Sequence, residues 1–418
     1  MINKIILILF EIGFGIRLHL IGVISPSELF LLLSCPYYFS RLRIYYNRGL
    51  YKLSLLYLGL ISVQIITEYW VGNSFNNAAR GIAVSVVSYF HVLFLYFYFI
   101  KSRSLIVYAL IGIIIRLAIF GNDFSDIEIG DSEFLGLLKF RIVPIVTHIL
   151  ILLAVLKPTL NFTPILCICG ILLIILGARS GGGILFVAGL VNYFLTIRHK
   201  FQFKNLRLIL AIGCIFLYGC YCIYVQEVLK GNIKSGNSEQ LLKVNDPYNP
   251  IYLLMTGRSE TFVGFIAFTD KPLTGWGAWT NDPQMKYHRL QAKFSKRKYN
   301  ASYQPKEVIP SHSVLIGSGM MNGIFAFIFM LCIFIFCLKR AYIVLKTDDL
   351  YKTAILILFI DFIWVMMFSP QSSFRYITPL EIAFILISYQ IAKYKRVAFM
   401  SRNHELKFPK CSYIKNTK

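Results

Sequence analysis

Three short segments hold residue types whose spacing suits chemistry on an anion. Gly177-Ala-Arg179-Ser180-Gly-Gly-Gly183 follows an apolar run and reads as a tight turn. Its glycines, Gly181 and Gly182 among them, would offer N–H groups to a phosphate at a helix start, beside an arginine. The Gly-Lys-Ser/Thr ending of a nucleotide P-loop is missing. A second segment runs Met255-Thr-Gly-Arg258-Ser-Glu260-Thr-Phe262, followed by Asp270-Lys-Pro272-Leu-Thr-Gly275-Trp276-Gly277-Ala-Trp279. The third is Pro310-Ser311-His312-Ser313, directly before an apolar stretch. With Ser311 as N-cap, His312 falls in the first helical turn, as a base or simply as a polar N-terminal residue. Gly319 and Gly323 share its helix face and let a neighbouring helix approach closely. Arg179 and Arg258 read either as anion ligands or as side chains snorkelling to lipid headgroups.

The elements that must position these residues are membrane helices. A chain of 418 residues with 57% hydrophobic and 15% charged residues and a mean hydropathy of +0.63 is no soluble protein. Aromatics at 16% exclude disorder and collagen-like repeats, and nine cysteines are too few for a disulfide scaffold. Apolar runs predict an all-α integral membrane protein of twelve spans: 5–24, 26–40, 53–71, 82–100, 105–120, 142–156, 160–178, 182–197, 208–225, 312–338, 353–369 and 377–392. The first carries Glu11 and Arg17 and lacks a small-residue cleavage site, so it reads as a retained helix and not a signal peptide. The chain divides into helices 1 to 9 over 1–225, a large outer loop over 226–311, helices 10 to 12 over 312–392, and a basic tail over 393–418.

A formal charge of +23 would suggest a nucleic-acid partner in a soluble protein. Placed on twelve spans, the charge divides into a cytoplasmic side of net +21 and an outer side of 17 basic against 15 acidic residues. The positive-inside rule then puts both termini in the cytoplasm and makes membrane lipids, not nucleic acid, the surroundings of this charge. No outer loop contains a thiol, and the Cys167/Cys169 and Cys220/Cys222 pairs read as packing residues, not metal ligands.

The outer loop of 226–311 is far longer than an ordinary connection, which implies a folded or functional element. Its apolar residues near Phe262 and Phe265 predict a short helix lying on the outer leaflet, with Trp276 and Trp279 as interface anchors. Arg289, Lys293, Lys296, Arg297 and Lys298 form a solvated basic run or a sugar or phosphate contact. Arg17, His19, His91, Arg116, His148 and Asp361 are costly inside a bilayer, so they read as functional residues or as pairs that fix helix packing. A metal-dependent reading would rest on Asp131-Ser-Glu133 in the acidic segment between Gly121 and Arg141.

Ala178-Arg179-Ser-Gly-Gly-Gly, Gly257-Arg258 with Pro272-Leu-Thr-Gly275-Trp-Gly277, and His312-Ser-Val-Leu315 running into Gly319 and Gly323 resemble, in order and spacing, the O-antigen polymerase and O-antigen ligase superfamily over about residues 160–340. These are polytopic glycosyltransferases of the GT-C type. The resemblance implies transfer of a glycan from a polyprenyl diphosphate on the outer face of the bacterial inner membrane, without metal or other cofactor. It makes Arg179, Arg258 and His312 catalytic, with Arg179, Gly181, Gly182, Arg258, Arg116 and Arg17 holding the diphosphate and Trp276, Trp279, Arg289 and Lys293 contacting glycan. Implied partners are the lipid-linked oligosaccharide, a chain-length regulator and a flippase. Ligase relatives often carry Asn after the histidine; Ser313 here favours polymerase, for an O-antigen or capsule-type polymer, with ligase and lipid-linked oligosaccharide flippase as the alternatives.

Arginine suits the leaving diphosphate because it is permanently charged and binds bidentately. A helix N-terminus would tend to keep an imidazole neutral and ready to accept a proton.

Overall fold

The computed structural model describes residues 2–20, 22–44, 48–121, 136–200, 206–232, 241–242, 246–282, 284–295, 308–347 and 349–405. In chain order it shows α1 (Ile2–Gly13), an antiparallel hairpin of β1 (Leu18–Leu20) and β2 (Gly22–Ile24), α2 (Pro26–Leu33), α3 (Cys35–Ile44), α4 (Arg48–Val71), α5 (Phe75–Phe99) and α6 (Ile106–Phe120). Then come α7 (Val143–Leu156), α8 (Thr163–Ile175), α9 (Arg179–Lys200), α10 (Leu206–Leu229), α11 (Pro250–Gly257), α12 (Ser259–Asp270) and α13 (Lys286–Ser295). The chain continues with α14 (Val314–Leu345), α15 (Lys352–Phe368), α16 (Gln371–Tyr376) and α17 (Thr378–Glu405).

Among the described residues six helices are long and apolar enough to cross a membrane: Gly49–Val71, Phe75–Phe99, Arg103–Phe120, Leu138–Leu156, Arg179–Ile197 and Val314–Leu345. This makes the chain an all-α, multi-pass membrane protein by length and composition. The first two expected spans are not single helices. α1 has 12 residues, about 18 Å of helix against a hydrocarbon core of about 30 Å. Leu18–Leu20 and Gly22–Ile24 of that expected span pair as the hairpin. Hydropathy registers side chains and is blind to this break, which follows Gly13 and Gly15.

The second expected span divides at Ser34 into α2 and α3. Ser25 and Glu28 close a capping box at the start of α2, with Pro26 in its first turn. The residue before Pro36 is disfavoured in a continuing helix, which suits the break there.

α5 is buried on all sides from Val87 to Phe97 and forms the centre of the bundle, with α4, α16 and α17 packed around it. Several polar residues of the expected spans find partners inside the bundle. Glu11 is fully buried, with His91 Nε2 at 3.1 Å and Arg116 Nη1 at 3.6 Å. His148 Nδ1 lies 2.7 Å from the Pro144 carbonyl oxygen. Glu28 pairs with Arg375. Buried charge of this kind needs partners, and helix packing supplies them. Glu28, Glu68 and Glu381, assigned to the outer side with the other acidic residues, are instead buried in the bundle.

Candidate functional site

α12 and the loop after it dock on a break in α14. At Asn322 (φ −127°, ψ 18°) and Gly323 (φ +76°, ψ −173°) the helix leaves its path. The Pro272 to Gly277 loop supplies the hydrogen bonds that the break releases. Trp276 N–H donates to the Met320 carbonyl at 2.9 Å, Gly277 N–H to Met321 at 2.8 Å, and Ile324 N–H to Pro272 at 2.7 Å. Glycine is required on both sides of this joint. A Cβ on Gly323 would lie 2.0 Å from the Leu273 carbonyl oxygen, and one on Gly275 2.4 Å from that of Met321. The neighbour at Gly323 is therefore a loop and not the expected helix, whereas Gly319 faces the Phe268 ring of α12.

Glu68, near the end of α4, ties the joint to the bundle. It is 3% exposed and accepts from Ala278 N–H (2.7 Å), Asn322 Nδ2 (2.8 Å) and Asn73 Nδ2 (2.6 Å). Charge-assisted hydrogen bonds like these contribute about 1.5–3 kcal/mol each. The expected leaflet helix is thus a packed one: α12 buries Val263, Ala267 and Phe268 against α14. The two tryptophans are held by protein as well. Trp276 Nε1 donates to Ala267 O at 2.7 Å, and the Arg80 guanidinium lies 4.4 Å over the Trp279 ring.

This docking brings two of the three sequence-predicted residues together. Arg258 separates α11 from α12 in a non-helical conformation (φ −129°, ψ 36°). Its Nη1 donates to Phe368 O at 3.3 Å, and its guanidinium sits 4.9 Å over the Trp364 ring. His312 Nδ1 pairs with the Glu260 carboxylate, and Thr261 Oγ1 donates to the His312 carbonyl at 2.8 Å. Gln291 Nε2 of α13 donates to the other Glu260 oxygen at 2.9 Å. Burial works to raise the Glu260 pKa, but the His312 hydrogen bond, the positive charges of His312 and Arg258, and the Gln291 hydrogen bond together hold it below the usual glutamate range.

The cap differs from expectation. Ser313, not Ser311, caps α14: its hydroxyl accepts from Ile316 N–H at 3.1 Å. His312 therefore precedes the helix, and its direct ionic partner is a carboxylate, not the helix dipole.

Arg179 begins α9, and its Nη2 donates to Tyr224 OH of α10 at 3.3 Å. Tyr221 of the same helix reaches Pro247 O at 2.7 Å, and Leu253 of α11 packs against this end of α10. Arg179 thus stands one element away from Arg258 along the chain α10 to α11. The glycines after it do not form the expected turn, which is confined to Leu176–Ala178. Gly181, Gly182 and Gly183 are helical, and Gly182 N–H donates to Ala178 O at 2.9 Å. Gly182 also lies where a Cβ would meet Gly170 O at 2.6 Å, and Gly181 where one would meet Val143 at 2.1 Å. Close helix packing explains both without a phosphate.

Arg116 is engaged with Glu11, and Arg17 is exposed between α1 and β1. Arg289 and Lys293 are exposed on α13, the helix that supplies Gln291. Asp131, Glu133, Lys296, Arg297 and Lys298 lie outside the described residues. Sequence reasoning missed Glu260 and Glu68. Glu68 had a readable signal, an acidic residue inside the limits of an apolar span. Glu260 had only its place two residues after Arg258.

The fold and site together define a polytopic helical membrane protein with an arginine, a histidine and a carboxylate gathered where α12 meets α14. No family model matches the chain, and no curated protein matches it.

Proposed function

We propose that the protein is a polysaccharide polymerase, a metal-independent glycosyltransferase. It moves a polyprenyl-diphosphate-linked glycan onto the non-reducing end of another lipid-linked repeat unit, on the outer face of a bacterial inner membrane. The observation that carries this reading is the convergence of Arg258 and His312 on Glu260. An Nδ1–H donated to the carboxylate puts the lone pair of a neutral imidazole on Nε2. Nε2 then takes the proton of the acceptor hydroxyl as its oxygen attacks the anomeric carbon. The bond from that carbon to the diphosphate oxygen breaks, and the leaving diphosphate departs with the electron pair. Arg258 stabilises that developing charge, and Arg179 is assigned the remainder of the lipid diphosphate. Glu260 orients the imidazole and stabilises it once protonated.

The ligase reading uses the same residues, so the product separates the two. In a deletion strain the polymerase reading expects single-repeat glycan on its final carrier, with the ladder restored by wild type and not by His312→Ala. Long polymer accumulating on polyprenyl diphosphate would overturn it in favour of ligase.

A further inference from the structure

α11, the helix that leads to Arg258, takes no part in the chemistry above. From Pro250 to Gly257 it carries no ionised side chain. Leu253 packs against the end of α10 and Thr256 is buried, but Ile251, Tyr252 and Leu254 stay 62%, 45% and 38% exposed. Aliphatic side chains turned outward on a short helix mark a surface that is covered by something other than water.

The position of α11 says what covers it. The chain enters it along the flank of α10, where Tyr221 OH donates to Pro247 O at 2.7 Å and Tyr218 OH to Tyr248 O at 3.4 Å. Both tyrosines lie within 208–225, the ninth expected span. Tyr221 precedes the end of α10 at Leu229 by about 12 Å of helix. α10 itself has 24 residues, long enough for the hydrocarbon core. Tyr218 shares the exposed side of α10 with Ile215 and Ile223, so the outward residues of α11 continue an apolar surface that α10 begins. At its other end α11 brings Arg258 to the carbonyl of Phe368, the last residue of α15. The helix thus runs from the side of one long apolar helix to the end of another.

The backbone of α11 is closed at both ends, as lipid surroundings demand. The Asn249 side chain accepts from Ile251 N–H at 3.0 Å, and Tyr252 N–H donates to Asn249 O at 3.2 Å. Thr256 Oγ1 donates to Tyr252 O at 2.9 Å, and Arg258 N–H to Leu254 O at 2.8 Å.

We propose that α11 is an interfacial helix seated in the leaflet on the side of the Glu260 site, with Ile251, Tyr252 and Leu254 against lipid acyl chains. A tyrosine suits that level, because its ring is apolar and its hydroxyl reaches the headgroups. The leaflet helix expected at α12 then falls one element earlier: α12 packs between α13 and α14, and α11 carries the lipid-facing side chains. Seated there, α11 holds Arg258 at headgroup level, where an anion carried on a membrane lipid meets it without leaving the bilayer. Lipid contact by α11 is independent of the reaction at Glu260.

The test is electron paramagnetic resonance on the full chain in phosphatidylcholine nanodiscs. A nitroxide is placed at Ile251→Cys or Leu254→Cys in a cysteine-free background, with Asn281→Cys as the aqueous control. At both α11 positions the ratio of collisions with oxygen, which concentrates among acyl chains, to collisions with a water-soluble nickel chelate should exceed that of the control several-fold. A ratio equal to the control puts the helix in water, and shielding from both reagents puts it against protein, a second copy of the chain included; either overturns the proposal. If the cysteine-free chain does not fold, Tyr252→Trp in the otherwise unchanged chain decides. Its added emission over wild type should fall about twofold or more in brominated phosphatidylcholine, and undiminished emission overturns lipid contact. Neither readout needs turnover. Failure of the ladder test leaves a lipid-seated α11 standing, and a water-exposed α11 leaves the proposed reaction standing.

Discussion

Glu260 carries the account at the scale of single residues. Three groups meet at it: His312 by the ion pair, Gln291 and with it α13 by a hydrogen bond, and Arg258 by charge. Replacing His312 by Ala removes the proposed proton acceptor and should lower kcat by about 10²–10⁴-fold. Glu260→Gln keeps the shape but loses the charge that orients the ring, so a loss of about 10- to 100-fold with little change in donor KM is expected from steady-state rates on lipid-linked substrate. The same substitution has a pH signature. The folded Glu260 pKa is depressed, so its stabilisation is fully present above the unfolded value of about 4.3 and is lost as pH falls through the lower folded value. Thermal midpoints of wild type and Glu260→Gln should therefore differ at neutral pH and converge as the pH falls through the depressed folded value. A gap that stays constant as the carboxylate is protonated would contradict the ion pair. Arg258 and His312 were legible as candidates because their residue types suit the chemistry. Glu260 was not, because it is 52 positions from His312 and only the docked loop closes that distance.

The element that makes the site is the joint between the Pro272 to Gly277 loop and the break in α14. Gly323→Ala meets both a positive φ and a backbone oxygen at 2.0 Å. We expect a loss of about 1–3 kcal/mol or more, read as a lowered Tm together with loss of activity, because His312 and the loop lose their common support. The glycines of α9 offer an internal contrast. Gly182→Ala would press on the Gly170 carbonyl and should destabilise, whereas Gly183 has nothing within 4 Å of a Cβ. As a helical position, Gly183→Ala should be neutral or stabilising by about 0.5–1 kcal/mol. Equal effects in the two unfolding curves would contradict the packing explanation. The motif order was legible in the sequence, but the mechanical role of its glycines was not. Small residues before an arginine resemble a phosphate cradle and a packing face equally, and only the facing backbone of α8 decides between them.

For the whole molecule, composition was the most reliable guide: apolar runs marked the helices that form the bundle. Its failures lie where backbone breaks, as after Gly13, or where an acidic residue sits within an apolar limit, as at Glu28, Glu68 and Glu381. Hydropathy averages over both. The charge asymmetry predicts that Asn281→Cys, in a cysteine-free background, is labelled by an impermeant maleimide in intact cells, whereas Ser102→Cys is labelled only after permeabilisation. The reverse pattern would invert the bundle and put the site on the wrong side for the proposed donor. The central claim is tested most directly by reconstituting the protein in liposomes with one lipid-linked repeat unit as both donor and acceptor, and resolving the lipid products by mass. The account predicts a doubled glycan on one polyprenyl diphosphate, one polyprenyl diphosphate released for each bond formed, and neither product from His312→Ala. Doubled glycan made equally well by His312→Ala, or none made by the wild type, would contradict it.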